Sequence, residues 1–111
     1  MKTRLIDNVE VREGSDNIFA DIGLPDAEKL LMKANLVVEI QKAIQKNGLS
    51  QTEAAKRMGI SQPKVSEMLR GHFSNLSERK LMDCLTRLGY DIEIKVRPTK
   101  ANMGRMTFAV I

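Results

Sequence analysis

Cysteine, histidine and the aromatic residues are scarce. The 111 residues include one Cys, one His, one Tyr, three Phe and no Trp. A lone Cys excludes an internal disulfide and fits a reducing compartment. A lone His excludes most His-based metal sites within one chain. With aromatics at 4% and apolar residues at 42%, a modest core must be filled by Leu, Ile, Val and Met. Seven Met are read as part of that filling. No stretch approaches the roughly 20 apolar residues of a membrane span, and MKTRLIDNVEVREG at the start has no apolar run fit for a signal peptide. The expectation is a cytoplasmic protein of one domain plus a tail, with no membrane partner. Catalytic constellations are missing too. There is no Gly-rich phosphate cradle, no metal-ligand set and no nucleophile–base pair, and the Asp and Glu residues are spaced as for solubility and capping. Neither an enzyme nor a cofactor is expected.

Charge is present and unevenly placed. Of the 18 basic and 14 acidic residues, positions 1–28 hold three basic and seven acidic, and positions 29–111 the other 15 and seven. The leader is acidic and the body basic. A basic body suits a polyanion, and an acidic leader suits a basic protein.

Three regions follow from the patterning. Residues 1–17 read as a flexible acidic leader or one marginal strand around Val9 and Val11, ending in turn-forming Glu13-Gly14-Ser15-Asp16-Asn17. Residues 18–25 are apolar enough to dock on something. Asp26 is placed to cap a helix that runs from Ala27 to about Lys46, with Leu30, Ala34, Val37, Ile40 and Ile44 at helical spacing. Asn47-Gly48 stops it. Ser50 and Glu53 have the spacing of a capping box for a second helix, whose apolar side is the small-residue face Ala54, Ala55, Met58. Gly59 permits a left-handed turn, and Ile60 faces the core. Ser61 caps a third helix with Pro63 in its first turn, Val65, Met68 and Leu69 on one face, and Gly71 at its end. A fourth helix from Ser77 to Gly89 carries the stripe Leu81, Cys84, Leu85, Leu88, where Cys84 reads as a small core residue. The helical domain is thus 18–89. Residues 90–97 then alternate as a half-buried strand, as do 105–111. A strand needs a partner, so Ile92, Ile94 and Val96 meet either 105–111 in a hairpin or the same strand of a second subunit.

Helix, glycine turn, short helix is the helix-turn-helix plan. The first helix crosses a duplex backbone, and the turn aims the second into the major groove. That second helix must be apolar on its packing side and polar on the other. With Val65 inward, Pro63, Glu67 and Arg70 face outward, Lys64 and Ser66 flank them, and Gln62 stands at the helix start. A Gln amide matches adenine, a carboxylate accepts from the cytosine amino group, and Lys reaches guanine or phosphate. Gln62, Pro63, Lys64, Ser66 and Glu67 are therefore the expected base-facing residues. Gln51, Lys56, Arg57, Arg70 and His72 are the expected phosphate contacts.

SQTEAAKRMGISQPKVSEMLRG, residues 50–71, resembles the Xre-type, phage-repressor-like helix-turn-helix. The run from Ile18 to Pro98 is similar to the HigA-type antitoxins. The resemblance implies a mainly α fold: a helix-turn-helix bundle of four to five helices followed by a C-terminal strand, single or in a hairpin, used in dimerisation. It further implies a homodimeric repressor of its own operon, bound to a palindromic operator in double-stranded DNA, that neutralises a RelE-like mRNA-cleaving toxin. Many Xre-type domains dimerise through a fifth helix. This chain has a strand-like segment at that position, so dimerisation is expected at 90–97. A stand-alone or prophage regulator, and a protein-interaction module whose DNA contact is secondary, are the alternatives.

Overall fold

The computed structural model describes residues 3–6, 9–13 and 27–111, with side chains from residue 29 onward. The turn cluster after Glu13, the apolar segment 18–25 and the Asp26 cap lie outside the described residues. The elements in chain order are β1 (Thr3–Ile6), β2 (Val9–Glu13), α1 (Ala27–Lys46), α2 (Gln51–Met58), α3 (Gln62–Leu69), α4 (Glu78–Arg87) and β3 (Thr107–Val110). They fall into two compact units. Lys33–Glu93 is helical, and the strands belong to the other unit.

Each helix of the helical unit starts and stops where local chemistry requires. Lys46 is the last residue of α1 because Leu49 N donates to Ile44 O at 3.0 Å and Gly48 N to Gln45 O at 3.1 Å. These bonds satisfy carbonyls that the ended helix leaves open. Ser50, Ser61 and Ser77 cap α2, α3 and α4, each accepting from the backbone N–H three residues on. Between α2 and α3 the chain reverses in three residues. Gly59 adopts φ 72°, ψ 31°, and Gly59 N and Ile60 N both donate to Ala55 O, at 2.9 and 3.1 Å. A side chain at that φ would meet its own backbone, which is why glycine stands there.

The core draws on all four helices. Ile40, Met58, Val65, Met68, Leu81 and Cys84 are all fully buried, and Ala54 and Ala43 are equally inaccessible. Small side chains at 54 and 55 let α2 sit close to its neighbours, and α2 packs against both α3 and α4. The α4 stripe is buried as its spacing implies. Along α1, Val37, Ile40 and Ile44 are buried, joined by Leu36 and Ala43, whereas Leu30 and Ala34 are only partly covered. Leu69 and Ile60 are half-buried rather than central. Met58 and Met68 fill the core, but Met103 is 83% exposed, so the methionines are filler only in part. Burial pushes the Cys84 thiol up in pKa, which suits an inert packing role.

The strands correct one expectation. Residues 90–97 form no strand in this chain and enter no ladder of the described sheet. The strand that does form at the C-terminal side, β3, pairs antiparallel with β2, Glu10 facing Val110 and Glu13 facing Thr107. β2 pairs on its other side with β1, Thr3 facing Arg12. The stretch read as at most one marginal strand therefore holds two, and the sheet order is β1-β2-β3. Alternation shows that a segment can be half-buried but does not select its partner, and the partner that β3 takes is β2. Ile92 is half-buried, while Ile94 and Val96 are 75% and 92% exposed.

Gly59→Ala is expected to cost about 1–2 kcal/mol, the strain of a left-handed alanine, and Gly59→Asn less. Met68→Ala empties a fully buried site and is expected to cost about 2–5 kcal/mol. Urea denaturation followed by far-UV circular dichroism measures both.

Candidate nucleic-acid interface

The α2–α3 pair presents one polar edge. At its beginning Ser50 is extended (φ −73°, ψ 165°), so its hydroxyl points at the helix. Ser50 Oγ accepts from Glu53 N at 3.1 Å, and Ser50 N donates to Glu53 Oε1 at 3.1 Å. Two open N–H groups at the α2 start are thereby satisfied, and the next, exposed Gln51, is held at the rim. The bond from the Ser50 backbone N–H, helped by the Ser50 hydroxyl and by Lys56, holds the Glu53 carboxyl below its ordinary pKa.

α3 begins with Ser61 (φ −75°, ψ 152°), whose Oγ accepts from Lys64 N at 3.3 Å. Pro63 stands in the first turn, where its missing N–H costs nothing. Val65 and Met68 are fully buried. The other side is left outward: Gln62, Pro63 and Lys64 are exposed, Ser66 and Glu67 half-buried, and Arg70 exposed. The helix stops through Gly71 (φ 93°), with Gly71 N donating to Met68 O at 3.0 Å and His72 N to Glu67 O at 2.8 Å. Exposed His72 thus leaves the end of α3 on a fixed backbone. The loop that follows is tied to α1 by Lys33 Nζ, which donates to Ser74 O at 2.9 Å. Lys56 and Arg57 are exposed in the last turn of α2.

One contact was invisible to spacing. Gln62 Nε2 donates to Gln51 Oε1 at 2.9 Å, joining the two helix starts across eleven positions. Sequence reasoning gave these residues separate tasks, one on phosphate and one on a base. Their bond is chemically compatible with both. Gln51 keeps its NH₂ donors, the polarity a phosphate oxygen needs. Gln62 keeps one N–H and its Oε1, and a donor plus an acceptor is what the N7 and N6 edge of adenine requires. The amide of Gln62 is also held in orientation before any duplex arrives.

Among the described residues no group of three or more His, Cys, Asp or Glu is arranged to hold a metal ion. No described helix is long and apolar enough to cross a membrane.

A helix capped by serine, turned by glycine and buried on one side only, with amides and a lysine on the other, defines a DNA-binding helix-turn-helix module. Comparison with known proteins agrees. A family model described as "Helix-turn-helix domain" matches residues 18–97. A solved structure described as "Putative XRE Family Transcriptional Regulator" superposes with a TM-score of 0.69 at 34% identity, over 78% of this chain and 98% of that one. No curated protein matches. The chain belongs to the Xre-type helix-turn-helix family.

Loss of the cap in Ser50→Ala is expected to cost about 1 kcal/mol. Because the Glu53 pKa is lowered in the folded state, its contribution is present above the ordinary Glu value and is lost as pH falls through the lowered one. The difference in melting temperature between wild type and Glu53→Gln should therefore shrink on acidification. A difference that grows towards low pH would contradict the capping assignment.

Proposed function

We propose that this protein is a sequence-specific transcriptional repressor that reads operator DNA with α3 and serves as a HigA-type antitoxin. The observation that carries the DNA-reading part is the outward polar start of α3, with Gln62 oriented by Gln51 while Val65 and Met68 anchor the helix in the core. In this reading α2 lies across the duplex backbone. Gln51, Lys56, Arg57, Arg70 and His72 meet phosphates, and Gln62, Pro63, Lys64, Ser66 and Glu67 face the bases. Glu67 accepts from a cytosine amino group, which also keeps its charge away from phosphate.

The operator is a palindrome read by a two-fold dimer, with half-sites about 10 bp apart or a multiple of that. Residues 90–97 supply the dimer contact. The exposure of Ile94 and Val96, 75% and 92%, supports this, since two extended alternating segments can pair across a two-fold axis.

Antitoxin activity is supported by the resemblance of residues 18–98 to the HigA type and by the charge division. An acidic leader on a basic body suits a chain that holds DNA with one region and a basic, RelE-like toxin with another. A stand-alone regulator would share the DNA chemistry and lack the second partner.

Gln62→Ala should weaken binding to a duplex selected by the wild type by about 1–3 kcal/mol and relax preference at one base position. Arg57→Ala should weaken all sequences alike and lower the salt slope by about one. Quantitative gel shifts over a salt series separate the two, and an unchanged base preference in Gln62→Ala refutes base reading. Ile94→Asp with Val96→Asp should give monomers in analytical ultracentrifugation. Affinity purification of the full chain, with and without residues 1–17, from cells expressing the adjacent reading frame tests the toxin. Failure to retain a basic partner refutes neutralisation and leaves the DNA-reading module standing.

A further inference from the structure

The elbow between α2 and α3 is covered on its outer side by a residue that neither the caps nor the polar edge uses. The three heavy atoms nearest to where a Cβ on Gly59 would stand all belong to Arg87: Nη1 at 3.0 Å, Cζ at 3.4 Å and Nε at 3.8 Å. Arg87 lies in the last turn of α4. Its Nε donates to Asp83 Oδ2 at 3.0 Å, and Lys80 Nζ stands 3.9 Å from the same oxygen. The guanidinium is thus held from one side by a carboxylate one turn back and rests on the elbow with the other.

The placement has an electrostatic logic. The end of α2 carries carbonyls without helical donors, together with the negative end of the helix dipole. A guanidinium is a planar cation with five N–H donors. Placed there, it favours the turned-back backbone over any opening of it. The other restraints on the elbow differ in kind. Val65 and Met68 hold α3 by apolar packing, which is not directional. The Gln51–Gln62 bond joins the start of α2 to the first residue of α3 through two exposed side chains.

We infer that Arg87, held by Asp83, is a positioning residue for α3. It braces the Gly59 elbow from α4 and so sharpens discrimination between base sequences, acting through the angle of α3 rather than through a base. Groove readout tolerates only about 0.5 Å and 10–20° of misplacement, so a loosened elbow lowers affinity for the right sequence more than for a wrong one. The inference rests on α3 as the reading helix.

The test compares two duplexes by fluorescence anisotropy over a salt series. One is selected by wild-type protein from a randomised pool, and the other is a scrambled duplex of the same length and composition. The readout is the ratio of their affinities. Arg87→Ala should lower that ratio by about five- to tenfold, the size of a weakened base contact. Arg87→Lys keeps the charge and should keep the salt slope, yet lose nearly as much of the ratio. Asp83→Asn frees the guanidinium and removes a negative charge. It should strengthen binding to the scrambled duplex while lowering the ratio. Asp83 and Arg87 are 44% and 52% exposed as side chains, so the variants are expected to fold, which thermal melting checks. Should Arg87→Ala lose its cooperative melt, Arg87→Lys and Asp83→Asn decide. An unchanged ratio in Arg87→Ala or in Asp83→Asn overturns the inference, as does full rescue by Arg87→Lys, which would make the role one of charge alone. A wild type that itself does not discriminate sinks the DNA-reading assignment and the inference with it, a result distinguishable because it appears before any variant is made.

Discussion

The left-handed backbone at Gly59 is the constraint on which the presentation of α3 depends. At φ 72° the chain leaves α2 and reaches the Ser61 cap within two residues, with no room for slack. Every outward residue of α3 is placed by that reversal. The same three residues put Val65 and Met68 in the core and Gln62 within 2.9 Å of Gln51. A longer or looser turn would not hold the two amides at bonding distance, because a hydrogen bond weakens steeply with distance and angle.

The polar edge follows from what surrounds it. A buried face fixes a helix about its axis. The caps at Ser50 and Ser61 fix where each helix starts. Together they decide which side chains remain outside: Gln51, Gln62, Pro63, Lys64 and Arg70, with Ser66 and Glu67 half-buried beside them. The perturbed carboxyl of the pair, Glu53, belongs to a cap, and the buried thiol of Cys84 belongs to the core. Both shifted groups thus mark structure.

The helical unit was largely legible because its determinants are local. Serine caps, glycine stops and the spacing of Ala54, Ala55, Met58 or of Leu81, Cys84, Leu85, Leu88 act within one or two turns. What escaped reading is what depends on elements meeting at a particular angle. The Gln51–Gln62 bond requires the elbow geometry, and Arg87 reaches Gly59 only once α4 has packed. The sheet escaped for a related reason. Residues 9–13, 90–97 and 107–110 carry strand-like alternation, residues 3–6 (Thr-Arg-Leu-Ile) do not, and period two is silent about which pairs with which. By pattern, 90–97 could meet either 105–111 or the same segment of a second subunit, and β2 is the partner β3 has.

That pairing joins residues about as distant in sequence as this chain permits: Glu10 faces Val110. Closing so wide a loop carries a larger entropic penalty than any contact among α2, α3 and α4, although the penalty grows only as the logarithm of loop length. Contacts close in sequence form early, and remote ones wait for them. Loop closure thus weighs little on the three short helices, whose partners lie a turn or two away, and most heavily on the ladder between β2 and β3, where the two far segments of the chain must be brought together.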